Sequence, residues 1–205
     1  MLEISRRTDP LRRPWLRAAI AAAALLASAA GNVRGEETCA GKPAGTGCWM
    51  EVAGRRGCHV WNVSLQAGAA TATWSGGCAG GRAQGTGTLT WSWDGKQSTG
   101  TGRLVDGKRH GNWVELNEHG TASEGRYLGG EEHGGWTIRS ADGSVQEGSY
   151  RNGKRHGHWT IREGNLVVLE GSYIDGNEDG DWIARSADGT VHVFSFANGR
   201  LLRSR

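Results

Sequence analysis

The heptapeptide GKRHGNW, residues 107–113, decides the fold because the chain returns to it. It comes back as GEEHGGW at 130–136, GKRHGHW at 153–159 and GNEDGDW at 176–182, with a shortened echo, NGRLL, from Asn198. Gly107, Gly130, Gly153, Gly176 and Gly199 stand 23 residues apart. Gly111, Gly134, Gly157 and Gly180 keep the same step, as do Trp113, Trp136, Trp159 and Trp182. Upstream, Tyr127, Tyr150, Tyr173 and Phe196 follow it, with Leu104 in the same register. A fixed short period signals an array built from one supersecondary unit.

The stretch 148–170, GSYRNGKRHGHWTIREGNLVVLE, shows what the unit is. A short strand is expected around Tyr150. Asn152-Gly153 then supplies the positive φ angles of a tight hairpin turn. Gly157 to Arg162 reads as a second strand, with Trp159 and Ile161 on one face and His158, Thr160 and Arg162 on the other. A second turn follows at Gly164-Asn165, matched by Asp142-Gly143 and Asp188-Gly189 in neighbouring units. Successive hairpins pair into a meander. Gly148 shares strand parity with Tyr150, and Gly157 with Trp159. A missing side chain beside a ring would let aromatics of the next rung lie flat over the backbone. Trp113, Trp136, Trp159, Trp182, Tyr127, Tyr150, Tyr173 and Phe196 are thus expected to form an aromatic stripe. It reads chiefly as the core of a thin sheet, since a repeat array has little else from which to build one.

The pattern G-x-Y-x-x-G-K-x-x-G-x-W resembles the MORN repeat (membrane occupation and recognition nexus). The resemblance runs from about Gly76 to Arg205, in units near 76–101, 102–124, 125–147, 148–170, 171–193 and 194–205. It implies an all-β fold: a single-layer antiparallel β-meander solenoid of MORN-type hairpins. Three features depart from the pattern. The step from Gly81 to Gly107 is three residues longer, Cys78 takes the aromatic position of the first unit, and Phe194 stands where a Gly is expected.

Residues 1–29 read as a signal peptide. Arg12, Arg13 and Arg17 precede an apolar run, Ala18 to Ala30, which is too short to span a bilayer as a helix. Ala27-Ser28-Ala29 is a small-x-small cleavage pattern. The sequence leaves open Sec or twin-arginine export. The expected location is periplasmic or secreted, in a bacterium, with no transmembrane segment in the mature chain. The segment holds five of the 24 Lys and Arg and two of the 21 acids, which leaves 19 of each in the mature chain. A balanced mature chain lacks the basic face of a nucleic-acid binder.

The four cysteines, Cys39, Cys48, Cys58 and Cys78, point to disulfides in an exported chain. Residues 30–75 do not repeat and read as an N-terminal β cap. GCHVWNVSLQAGAATATWSGGC, residues 57–78, is expected to form a hairpin turning near Gly68. That would set Cys58 opposite Cys78 and Trp61 near Trp74, leaving Cys39–Cys48 to close a small loop. Four cysteines allow three pairings, and sequence does not choose among them. The cysteine layout also resembles the front end of secreted bacterial MORN-repeat proteins.

Candidate chemistry is sparse. His110, His133 and His156 recur one unit apart, roughly 9–10 Å by strand spacing, too far to share a metal ion whose nitrogens sit about 2.1 Å away. GRLVDGKR (102–109) and GSYRNGKR (148–155) approach a phosphate loop. They put Arg109 and Arg155 where the magnesium-binding hydroxyl belongs, and no helix follows. The reading is of no metal, no cofactor and no enzyme. A charge pattern is more informative: Lys108-Arg109, Glu131-Glu132, Lys154-Arg155 and Glu178-Asp179 alternate in sign along one edge. This is a candidate association edge, along which two arrays offset by one unit would match plus to minus. The functional expectation is a non-catalytic exported scaffold or protein-binding module that contacts a protein partner or a second copy of itself. The alternative is envelope lipid or glycan binding. The family resemblance implies the lipid contact by analogy, and Trp91 and Trp93, as exposed rings, would serve the glycan.

Overall fold

The computed structural model describes Cys39 and residues 47–62, 70–164 and 166–205. The signal-peptide expectation (1–29) and the expected turn near Gly68 lie outside these residues. The described chain is all-β. Fifteen strands follow in order: β1 (Cys48–Glu51), β2 (His59–Asn62), β3 (Thr71–Trp74), β4 (Gly77–Ala79), β5 (Arg82–Trp93), β6 (Lys96–Val105), β7 (Lys108–Leu116), β8 (Ala122–Leu128), β9 (Glu131–Arg139), β10 (Ser144–Arg151), β11 (Lys154–Glu163), β12 (Leu166–Ile174), β13 (Asn177–Arg185), β14 (Val191–Ala197) and β15 (Arg200–Ser204). They form one mostly antiparallel sheet in which every strand from β5 onward pairs with the next.

The tight turns follow from their residues. Asp94-Gly95, Asp106-Gly107, Asn152-Gly153, Asp175-Gly176 and Asn198-Gly199 all hold two successive positive φ angles. Two positive φ angles make a type I′ turn, whose twist matches the flanking strands. The turn glycines do a second job. The N–H groups of Gly130, Gly153, Gly176 and Gly199 donate to the carbonyls of Arg109, Glu132, Arg155 and Glu178, at 2.8–3.0 Å. Each hairpin tip is therefore tied to the tip before it.

The tryptophans are placed by a device that repeats with the period. Gly102, Gly125, Gly148 and Gly171 lie under the indoles of Trp113, Trp136, Trp159 and Trp182. A Cβ at any of the four would stand 2.1–2.4 Å from a ring atom. The antiparallel register slips at the same points, so that Gly102 pairs Trp113 while Arg103 pairs His110. Gly125 and Arg126 pair Trp136 and His133 in the same way. The indole N–H then donates to a carbonyl on the preceding strand: Trp113 to Arg103, Trp136 to Arg126, Trp159 to Ser149 and Trp182 to Ser172, at 3.0–3.3 Å. Gly157, expected to make room for a ring, does not. It holds φ +74 with open space where a Cβ would be, as do Gly111, Gly134 and Gly180 at nearly the same φ. These four glycines are needed for the bulge and not for packing.

The rings form a continuous row, Trp74–Trp113–Tyr127–Trp136–Tyr150–Trp159–Tyr173–Trp182, with centroids 4.9–6.4 Å apart. All the contacts but the first are edge-to-face, a favourable geometry for aromatic pairs. Phe196 and Phe194 pack against the end of this core, and Phe194 pairs Trp182 where earlier units place Gly. Leu104, fully buried, fills the tyrosine position of the second unit, 102–124.

The N-terminal segment corrects one expectation. β2 and β3 are not partners in a hairpin: β2 pairs β1, and β3 pairs β5. Trp61 accordingly meets Trp49, at 5.1 Å, while Trp74 joins the long row. β5 is long enough to seat β4 on its first residues and β3 on its last. The bend between them brings the Trp74 N–H to the carbonyls of Gly77 and Gln84. The bridges are nonetheless Cys39–Cys48 and Cys58–Cys78.

Candidate functional site

Two surfaces and a cleft that lies toward the N-terminal strands carry the candidate chemistry. On the face opposite the rings, an ion pair recurs with the unit. Glu124, Glu147 and Glu170 stand 23 residues apart, as do Arg139, Arg162 and Arg185. They pair as Glu124–Arg139, Glu147–Arg162 and Glu170–Arg185, at 3.7, 3.5 and 2.8 Å. His158 also approaches Glu170, at 3.8 Å. Among the pairs this face exposes Val114, and next to the hairpin tips Leu128 and Ile174. Exposed pairs of this kind contribute little to stability, typically under about 1 kcal/mol. The ladder is a patterned surface more than a brace. It was legible by extending the period scan from Gly and Trp to charged positions.

The proposed association edge divides differently from its sequence reading. Glu131 and Lys154 turn outward and are exposed, while Lys108 is half-buried with its ammonium group 5.4 Å from the Trp61 ring. Arg109, Glu132, Arg155 and Glu178 turn over the aromatic row instead. The Arg109 guanidinium lies 5.5 Å from the Trp113 ring and 5.2 Å from Tyr127, and pairs with Glu115 at 2.9 Å. Arg155 lies 4.1 Å from Trp159 and 5.6 Å from Tyr173, and donates to Gln146 at 2.8 Å. Glu178 is 5% exposed. These four cannot serve an exposed edge. They face inward because each stands directly opposite a ring-face residue across its own hairpin: Arg109 opposite Leu104, Glu132 opposite Tyr127, Arg155 opposite Tyr150 and Glu178 opposite Tyr173. In the unit frame the fourth member is Glu178, and Asp179 occupies the histidine position of His110, His133 and His156. The series beside them therefore runs Lys108, Glu131, Lys154 and the neutral Asn177. Among the described residues no three His, Cys, Asp or Glu side chains are placed to hold a metal ion.

The cleft lies on the aromatic face where the N-terminal strands meet the first units. It has a volume of about 250 Å³, with Trp91, Trp93, Arg109, Glu115, Glu118 and Glu132 in its walls. Trp91 and Trp93 share a strand face, as their spacing predicts, but both are buried, at 9% and 8% exposure. They are not the exposed platforms a stacked sugar ring would need. Tyr127 donates its hydroxyl proton to Glu115 at 2.8 Å. Burial raises the Tyr127 hydroxyl above its ordinary range, with Arg109 opposing and Glu115 adding to the effect. Burial also raises the Glu132 carboxyl. Its own backbone N–H and Arg109 pull it down, while Glu115 and Glu131 push it up. Perturbed groups converging on a partly apolar cleft are the usual marks of a binding site.

A scan against protein-family models finds no match, and a search of the curated proteins finds none. Among the described residues no helix is long and apolar enough to cross a membrane.

Proposed function

We propose that this chain is an exported, non-catalytic binding module of the MORN-repeat type, and that its outer sheet face contacts a protein partner. The ladder of Glu124–Arg139, Glu147–Arg162 and Glu170–Arg185 carries this reading. It places donors and acceptors at a fixed step on a sheet whose rings are committed to the opposite side. Such a surface offers charged hydrogen-bonding groups already held in place, which lowers the ordering cost of association. Val114, Leu128 and Ile174 add exposed apolar contacts beside them. The two disulfides are compatible with an oxidising, exported location.

The test is a photocrosslinking residue at Thr160, on the outer strand face between Glu147 and Glu170, in cells that make the protein. A discrete protein adduct is expected, and its mass separates a foreign partner from a second copy. A probe incorporated efficiently at Thr160 and at Thr137, one unit earlier, that yields no protein adduct would overturn the reading.

A further inference from the structure

The cleft departs from the repeat in which it sits. One, two and three units on, the position of Glu115 is held by Ile138, Ile161 and Ala184. The position of Glu118 is held by Ala141, Gly164 and Ala187. The array thus supplies its own baseline, which at these two places is apolar or small. Only the unit that faces Trp91 and Trp93 replaces both with carboxylates, and both line the cleft.

The charge balance then indicates what would enter. Glu115, Glu118 and Glu132 face the cleft with Arg109, and Arg109 is engaged with Glu115. Among the described residues Glu118 pairs with the exposed His119, at 3.3 Å. An anion would meet three carboxylates against one guanidinium. A neutral sugar would need an open indole face, which neither tryptophan offers. A cation gains from the excess of acids over the single guanidinium.

We propose that the cleft between Trp91, Trp93, Glu115, Glu118 and Glu132 binds an organic cation carrying a primary ammonium group. The alkyl part lies against the tryptophans and the ammonium group meets the carboxylates. The same chemistry is offered by a free amine or by a lysine side chain of a partner. The proposal does not depend on the outer-face reading, since the cleft opens on the opposite side of the sheet.

The experiment uses the full chain with both disulfides formed and follows binding by ligand-observed NMR. The probes are n-butylammonium chloride, n-butanol as its uncharged counterpart, and a peptide capped at both ends with one lysine. Butylammonium is expected to bind saturably and butanol not to. Affinity should fall about tenfold or more in Glu132→Gln. It should fall likewise in Glu115→Ile combined with Glu118→Ala, which restores the residues used by later units; an unchanged melting temperature shows that the loss is not unfolding. A peptide tighter than butylammonium assigns the source to a protein side chain, and a weaker one to a free amine. Equal binding of butanol and butylammonium, no binding of butylammonium, or affinity unmoved in both variants would overturn the proposal.

Discussion

At Gly148 a hydrogen is the largest substituent the fold admits, because the Trp159 ring lies directly over it. Gly157, nine residues on, has open space but a left-handed backbone. The two glycines look alike in sequence and fail differently. Gly148→Ala should cost about 2–3 kcal/mol through overpacking, and much of that should be recovered in a Trp159→Leu background. Gly157→Ala should cost about 1–2 kcal/mol through backbone strain, and Trp159→Leu should recover none of it, because no ring lies over Gly157. Denaturant titration of the double-mutant cycles checks both. The sequence made the Asn-Gly turn legible because its φ requirement is local. It concealed the role of Gly157 because a bulge exists only in the register between two strands.

Glu178 is a second case decided at one residue. Burial raises its carboxyl, against its own backbone N–H and the attraction of Arg155. A carboxyl raised in the folded state holds its proton more tightly there than in the unfolded chain. It therefore favours folding below the unfolded pKa and loses that benefit as pH rises through the folded one. Glu178→Gln should stabilise the protein at neutral pH, with the gain shrinking as pH falls through the raised value. Melting curves across pH check this. A mutant less stable than its parent at pH 7 would show that the attraction of Arg155 outweighs burial.

At the scale of elements, the hairpins after β5 were readable from the phrase that names their turns, whereas the N-terminal strands were not. The stretch 57–78 has the length and cysteine placement of a hairpin, yet β2 and β3 choose other partners. The reason is Trp74: its place at the head of the aromatic row and its bonds to Gly77 and Gln84 pull β3 and β4 onto β5. Cys58 and Cys78 still meet, because β2 reaches the start of β5 through the parallel pair His59–Arg82, and Cys78 lies opposite Ala83. Replacing both Cys58 and Cys78 by Ser should cost roughly 2–4 kcal/mol. It should leave the near-ultraviolet signal of the later tryptophans in place, since their row depends on its own unit contacts. Loss of that signal at low denaturant would show that the N-terminal strands are required for the row to form.

At the scale of the whole molecule, the period was legible while the direction of its charges was not. Sequence shows that Arg109, Glu132, Arg155 and Glu178 recur. Their register opposite Leu104, Tyr127, Tyr150 and Tyr173 shows that they face the rings, where Arg109 attracts Glu132 and Arg155 attracts Glu178. The outer ladder and the cleft are two results of this same arrangement. It commits the rings and one charge per unit to the inner face and leaves the other face free to carry Glu–Arg pairs. The unit 102–124, with Glu115 and Glu118, is where the inner face departs from the rule.

The central claim is that a 23-residue unit, locked to its predecessor by the same contacts each time, builds the molecule, and that the inward charges must match between neighbours. Excising units measures it. Removing residues 125–147 sets Arg109 beside Arg155, whereas removing residues 125–170 sets Arg109 beside Glu178. Both proteins should fold, and thermal unfolding should show the shorter one to be the more stable, because it alone restores the pairing of opposite charges. Stability that simply falls with each unit removed, or loss of folding in both, would contradict the account.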